Sequence, residues 1–257
     1  MTGAADPTPG LPAWTAQLID ALYDGLYDGQ PPAAALDRAG RVHAELARLA
    51  GPVPFSVLHD WHADTVGPLL DPVCGPSELA GLHARARSGE PASAEDWLAA
   101  LVPALRAVYH RAYDYAGGYA VNYANAEVYG LANDFGEEGT REYATYYAEL
   151  ATGANRTACA DANAIAVGQA LADCFAAGDP LGYAETFPYA AVRAYAQAFA
   201  QTADTAHPAD SAEPVDSAEP VDSAGTVDSA EQIAERRSAA YRRLADGLLD
   251  SLARARR

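Results

Sequence analysis

The chain has 257 residues, half of them hydrophobic, and a formal net charge of −18 at pH 7. That apolar content can bury a real core, which excludes a disordered protein. An acidic chain repels phosphate backbones, which excludes binding of nucleic acid through the main domain. All 17 basic residues are Arg, a bias typical of high-GC coding and of actinomycete-like sources.

The spacing of the three cysteines bears on the redox state of the compartment in which the protein folds. Cys74, Cys159 and Cys174 form neither a CxxC pair nor an even disulfide framework, which favours a reducing environment. The N-terminal residues MTGAADPTPG lack the pattern of a signal peptide, and no apolar run is long enough for a membrane helix. We therefore expect a cytoplasmic protein with a disordered N-terminus over residues 1–11.

Hydrophobic periodicity predicts an all-α fold. Apolar residues recur at three- and four-residue spacing along the chain, whereas the alternation typical of strands is nearly absent. Gly and Pro signals separate the helices, and the segment GPLLDPVCGP is predicted to be a loop. The predicted helices of a bundle domain, 12–203, cover 12–28, 33–50, 55–66, 77–87, 94–133, 138–177 and 180–203, with kinks at Pro103, Gly117-Gly118 and Pro188.

Alanine recurs at every fourth position in the last three of these helices. Residues four apart form the ridge that packs into a neighbour's groove, and small side chains there let the helix axes approach closely. The short turn NDFGEE makes the two long helices antiparallel neighbours. The sequence therefore predicts an antiparallel helical bundle with close packing of alanine ridges. The ridges are Ala112, Ala116, Ala120 and Ala124; Ala154, Ala158, Ala162, Ala166 and Ala170; and Ala190, Ala194 and Ala198.

The C-terminal part differs in composition. Residues 204–229 carry seven acids, no base and near-copies of the hexapeptide DSAEPV, which predicts a disordered acidic linker. Residues 230–257 carry a charge of +3 and an apolar stripe at helical spacing, which predicts a basic amphipathic helix. This tethered helix is expected to be mobile and to dock on its own bundle or on a protein partner, with a membrane surface less favoured. Its predicted partner-binding residues are Tyr241, Arg243, Leu244, Leu248 and Leu252.

Tyrosine and asparagine recur in YAGGYAVNYANAEVYGLANDF, residues 115–135. Asn is a poor helix former, and a buried Asn without a partner is costly, so these side chains need hydrogen bonds. Three interpretations follow: a polar seam between the long helices, a small-molecule cavity between them, or a Tyr-rich outer face that meets a protein. For the cavity, the candidate acid and base groups are Tyr119, Tyr123, Glu127 and Asp161, and the candidate ligand-binding residues are Tyr115, Asn122, Asn125, Asn155 and Asn163.

Two patterns are compatible with metal ligands. Asp20 and Asp24, with Asp28, lie four residues apart, as do carboxylates that hold Mg²⁺. His59 and His62 lie three residues apart and suit zinc or iron if further ligands are supplied. We expect instead that the carboxylates form a solvated face and that the histidines face solvent or a helix N-terminal turn.

Together these features predict a cytosolic, non-catalytic helical binding or interaction protein without a cofactor, with a homodimer as a further option. It would use the tethered C-terminal helix and the Tyr/Asn-rich hairpin. The alternative is an enzyme acting on a small specialised metabolite, with its site between the two long helices and with Mg²⁺ or another divalent ion as cofactor.

Overall fold

The computed structural model describes residues 11–27, 32–49, 52–75, 78–202 and 230–255. Over these residues the protein is all-α, as predicted, and contains no strand. Two predictions concern residues outside the described ranges: the disordered N-terminus, of which residues 1–10 are not described, and the disordered linker 204–229. The helices are α1 (Ala13–Tyr27), α2 (Pro32–Arg48), α3 (Ser56–Trp61), a π-helical turn (His62–Val66), α4 (Gly67–Cys74), α5 (Glu78–Arg87), α6 (Ala94–Ala112), α7 (Tyr115–Ala132), α8 (Gly136–Ala177), α9 (Pro180–Glu185), α10 (Pro188–Ala200) and α11 (Ala230–Arg254).

Three boundaries differ from the sequence prediction. Residues 67–74, predicted to be loop, form α4, which begins with Pro68 in its first turn, where a missing N–H costs nothing. The predicted helix 94–133 is divided at Tyr113 and Asp114, because Tyr113 is extended and the Asp114 side chain accepts a hydrogen bond from Gly117 N. The predicted helix 180–203 is divided at Phe187, whose φ of 57° is left-handed.

The hydrophobic core lies among α1, α3, α6, α10, α11 and the C-terminal end of α8. Its largest side chains are the three tryptophans, Trp14, Trp61 and Trp97, each at most 1% exposed. Aromatic residues Phe55, Phe175 and Tyr183 pack between them. We call these helices, together with α2, α4, α5 and α9, the body.

The C-terminal helix α11 is part of this core. It packs against α1, α2, α3, α10 and the π-helical turn. The indole of Trp61 donates to Leu244 O at 2.9 Å, and Arg236 Nε donates to Ala200 O at 2.7 Å. The chain's own body buries the apolar stripe, which is the predicted alternative of docking on its own bundle. The buried residues of α11 are Ala240, Tyr241, Leu244, Ala245, Leu248, Leu249, Ser251 and Leu252.

Two glycines show how closely α11 approaches the body. A Cβ added to Gly25 of α1 would overlap the Tyr241 ring, and one added to Gly247 of α11 would overlap the Thr65 side chain. Only glycine fits at these two positions, because a Cβ closer than van der Waals distance would force the helices apart. The sequence of α11 is thus matched to this docking site.

The helix α8 extends beyond the body. Its 42 residues span about 63 Å at 1.5 Å per residue. Its C-terminal half packs on α6, whereas its N-terminal half pairs with α7. The core takes no residue from 113–163, all of which are described. Helix α7 and residues 136–160 of α8 therefore form a two-helix projection, which we call the arm.

Candidate functional site

The seam of the arm is made of small residues. On α8, Thr140, Ala144, Ala148 and Thr152 are at most 4% exposed, and on α7 Ala126 is 3% exposed. At the α7 side of the seam, Gly130 lies against Thr140, and Gly118 lies against Tyr113 and Thr152. Because mostly small residues line the seam, the helix backbones approach closely, as predicted for an alanine ridge.

The predicted ridge has the wrong phase, however. The contact line of α8 continues through Ala160, Ala164 and Gly168, which are buried against α6. The predicted members Ala154, Ala158, Ala162, Ala166 and Ala170 are all exposed, as are Ala116, Ala120 and Ala124 of α7. Both lines of α8 carry small residues every fourth position, and tertiary contacts decide which of them is buried.

Tight packing of this seam gives a test. Replacing glycine by alanine inside a helix normally stabilises the helix by about 1 kcal/mol. A Cβ at Gly130 would lie 2.9 Å from Thr140 Cγ2 and 3.2 Å from Thr140 Cα, so we expect Gly130→Ala to destabilise the arm by about 1–3 kcal/mol. Hydrogen exchange of the α7 amides measures this loss.

The control for that substitution is Gly139→Ala. A Cβ there would lie 3.6 Å from Phe135 Cβ, which is an ordinary contact. The protection of the α7 amides against hydrogen exchange should therefore equal or exceed that of the wild-type chain. Equal protection of α7 in Gly130→Ala and in the wild-type chain would contradict the close packing.

The predicted ligand-binding residues do not converge on one place. Asn122 Nδ2 donates to the buried Thr152 Oγ1 at 2.9 Å, a hydrogen bond between the two helices of the kind that a polar seam requires. Asn125 and Asn155 are exposed, and Asn163 Nδ2 donates to Cys159 O of its own helix at 2.8 Å. Tyr115 stacks with Tyr119, at 6.5 Å between ring centroids, and the Arg156 guanidinium covers its ring.

The predicted acid and base groups have different surroundings. Glu127 is exposed, and Asp161 pairs with Arg106 Nε of α6 at 2.5 Å. Tyr119 and Tyr123 stack on each other along one flank of α7, at 6.1 Å between centroids. The structure therefore brings the tyrosines together as a ladder and pairs Asp161 with an arginine of α6.

Four exposed or half-buried aromatic rings meet at the far end of the arm. Tyr129 lies 5.6 Å from Tyr143 and 6.1 Å from Phe135, Phe135 lies 5.4 Å from Tyr143, and Tyr143 lies 5.9 Å from Tyr147. Tyr129, Phe135 and Tyr147 are 53%, 42% and 41% exposed. We call these four residues the tip patch.

The tip patch was missed by sequence reasoning, although a signal was present. Tyr143 and Tyr147 lie four residues apart and share a helix face, and the turn NDFGEE brings that face beside Tyr129. Exposed acids lie next to the patch residues in the sequence, at Asp134, Glu137, Glu138 and Glu142, with Arg141 among them.

A cluster of three histidines lies inside the body. His59, His62 and His83 are 5%, 6% and 1% exposed, so the expectation of solvent-facing histidines is wrong. His59 Nδ1 and His83 Nδ1 share a hydrogen bond of 3.0 Å, and the rings of His62 and His83 stack at 4.5 Å. Trp97 and Phe175 enclose the cluster.

Burial keeps these imidazoles neutral. It lowers the pKa of His59 to about 4 and, together with the charge of His59, lowers the pKa of His62 to about 3. Burial and then the other two histidines lower the pKa of His83 well below its usual value. A general base is most effective with a pKa near the working pH, so this cluster is better suited to packing than to catalysis.

Among the described residues, no group of three or more His, Cys, Asp or Glu side chains is placed to hold a metal ion. Asp20 and Asp24 lie exposed on α1, and Asp24 accepts a hydrogen bond from Tyr189 at 3.0 Å. Partial burial and then the charge of Asp24 raise the pKa of Asp20. Asp28 lies outside the described residues, and the magnesium alternative stays a prediction.

Asp60 joins three helices beside the histidine cluster. Its carboxylate, 9% exposed, accepts hydrogen bonds of 2.7 Å from Arg87 of α5 and from Arg254 of α11. Burial acts to raise the pKa of Asp60, but hydrogen bonds from Arg87, Arg254 and Ser251 hold it below its usual value. Asp64 contacts the same two arginines at 3.1 and 3.2 Å but is 44% exposed.

The paired carboxylates allow a matched comparison. Asp60→Asn removes the buried charge and leaves two arginines facing an amide, so we expect a loss of about 1–3 kcal/mol in the free energy of unfolding. Asp64→Asn changes an exposed contact and should cost less than about 1 kcal/mol. Urea unfolding at pH 7 measures both, and equal losses would contradict the central role of Asp60.

The predicted partner-binding residues of α11 are divided by the fold. Tyr241, Leu244, Leu248 and Leu252 are at most 5% exposed in the body, and Arg243 is exposed. The docking of α11 on its own bundle, one of the predicted alternatives, is thus the arrangement in the structure.

Comparison with protein-family models, with curated proteins and with solved structures finds no match for this chain. No helix among the described residues is long and apolar enough to cross a membrane.

Proposed function

We propose that this chain is a non-catalytic interaction protein whose arm presents the tip patch to a protein partner. The single observation that supports it is the meeting of four exposed or half-buried aromatic rings at the end of a projection that shares no side chain with the core. Tyrosine is enriched at protein interfaces because its ring buries a large apolar area on binding, while its hydroxyl group can be hydrated in the free protein.

The surroundings of the patch suggest the chemistry of the partner. Exposed acids, Asp134, Glu137, Glu138 and Glu142, are sequence neighbours of the rings. A complementary surface has an apolar centre and basic residues at its edge. Binding should therefore weaken as salt rises, because exposed charges are screened.

The body serves as a rigid support in this proposal. Helix α11 closes the core, and α8 continues from the core into the arm without a break, so the patch is held at a fixed distance from the body. We further propose a cytoplasmic location, which the three free cysteines support.

The test compares two matched variants as baits. Tyr129→Ser combined with Phe135→Ser removes the centre of the tip patch, whereas Tyr27→Ser removes a tyrosine on α1 that is 61% exposed and distant in sequence from the patch. A partner retained by the wild-type chain should bind the double variant at least about 30-fold more weakly, the effect of losing an interface hot spot. It should bind Tyr27→Ser unchanged. A partner whose affinity survives the double variant would contradict the proposal.

A further inference from the structure

Helix α5 is held to the body by few side chains. Of its ten residues only Leu82 and His83 are buried, whereas α10 buries six of its thirteen. Leu79 and Ala86 are half-buried at the edge of the core. Elements with few buried side chains open locally at a lower free energy than the whole domain unfolds. Helix α5 can therefore open while the rest of the body stays folded.

His83 is the central side chain of the contact between α5 and the body. Its Nδ1 shares a hydrogen bond of 3.0 Å with His59 Nδ1, and its ring stacks on His62 at 4.5 Å between centroids. The rings of Trp97 and Phe175 lie 4.8 and 5.1 Å from it. An aromatic pocket of the body thus encloses an ionisable side chain that α5 carries.

The described residues do not compensate a positive charge on His83 inside this pocket. Besides burial, the groups that act on the pKa of His83 are His62 and His59, and both lower it. Three imidazoles in mutual contact cannot all accept protons, because like charges repel. The Nε2 atom of His83 is buried without a hydrogen-bond partner among the described residues. A protonated His83 therefore has to leave the pocket to reach water.

The ion pairs of α5 keep their charges in mild acid. Arg87 contacts Asp60 of α3 and Asp64 of the π-helical turn, at 2.7 and 3.1 Å. Arg85 lies close enough to Asp96 of α6 to interact with it through charge. A carboxylate paired with arginine titrates at or below about pH 4. Between pH 7 and pH 5, the groups around α5 whose ionisation can change are therefore the histidines.

We propose that α5 is a pH-sensitive flap, which opens locally and admits protons to the histidine cluster while the arm and the rest of the body stay folded. The opened form is the minor one at pH 7, and it uncovers His59, His62, Trp97 and Phe175. An imidazole in water titrates near pH 6.5, so lowering the pH from 7 to 5 favours opening by about 25-fold for each histidine that reaches water. Helix α5 lies outside the arm, so its opening is independent of any partner bound at the tip patch.

Hydrogen exchange of the full chain at pH 7 and pH 5, with each rate divided by the intrinsic rate at that pH, tests the flap. The backbone amides of α5 should lose protection at least about 25-fold between pH 7 and pH 5. A low concentration of urea should hardly change exchange in α5 but should accelerate it in α10, because local opening exposes little surface. Constant protection of α5, or the same urea dependence in α5 and α10, would overturn the proposal.

Two variants of α5 separate the imidazole from the ion pair. His83→Phe keeps an aromatic ring in the pocket, and the effect of pH on α5 protection should become about 25-fold smaller. Arg87→Gln removes the contact with Asp60 but no imidazole, so α5 should lose protection by the same factor at both pH values. Loss of the pH effect in Arg87→Gln, or an unchanged pH effect in a folded His83→Phe chain, would contradict the flap. Arg87→Gln and the urea comparison decide the proposal even without a folded His83→Phe chain.

Discussion

Ending the chain at residue 229 is expected to abolish cooperative folding of the body. Without α11, the core loses four leucines that are at most 7% exposed: Leu244, Leu248, Leu249 and Leu252. Burial of a leucine contributes about 1.5–3 kcal/mol, so the four contribute roughly 6–12 kcal/mol. Typical domains are stable by only about 5–15 kcal/mol, so the loss is comparable with the whole stability. The measurement is the thermal transition followed by near-ultraviolet circular dichroism.

Point variants give a graded form of this prediction. Leu248→Ala, 1% exposed, should lower the free energy of unfolding by about 2–5 kcal/mol. Arg243→Ala, on the exposed side of the same helix, should change it by less than about 0.5 kcal/mol. A shortened chain that melts cooperatively within a few degrees of the full chain would show that α11 is an accessory element.

Lowering the pH from 7 to 5 is expected to cost about 5 kcal/mol of stability through the histidine cluster. In the unfolded chain His59, His62 and His83 take up protons as the pH falls through 6.5, while in the folded chain their lowered pKa values keep them neutral. The unfolded state then binds more protons, so stability falls with pH by up to about 1.4 kcal/mol per pH unit for each histidine. The contribution of His59 to this loss levels off near pH 4, where His59 protonates in the folded state, and that of His62 levels off near pH 3.

Urea unfolding at pH 7, 6 and 5 measures this dependence. His62→Phe removes one titrating ring while keeping an aromatic side chain in the stack, so the slope should fall by about a third. A stability that is flat between pH 7 and pH 5 would show that the histidines are accessible to protons in the folded state.

The helical class and the antiparallel hairpin followed from the sequence, because spacing and caps are local properties. One such local property is the cap of α6, where the Ser93 side chain accepts a hydrogen bond from Asp96 N at 3.1 Å. The phase of the alanine ridge was not predictable, since Ala148 and Ala158 belong to two equally small lines of one helix. Which line is buried depends on where α6 and α7 lie.

Local sequence patterns also could not predict the burial of His59 and His62. Their helix is short and continues into a π-helical turn, and the third ring of the cluster comes from α5. The apolar stripe of α11 was predicted correctly, but its docking site depends on Gly25 and Gly247, whose meaning appears only when the helices touch. Long-range contacts, not propensity, decide these features.

Photo-crosslinking in the cells that make the protein tests the central claim most directly. A photoreactive amino acid at position 135 in the tip patch should give a light-dependent adduct with a distinct protein. The same amino acid at position 243, exposed on α11, should not give that adduct. The adduct should also disappear when Tyr129→Ser is added to the position-135 chain. No adduct from position 135, or the same adducts from both positions, would contradict an arm that binds its partner through the tip patch.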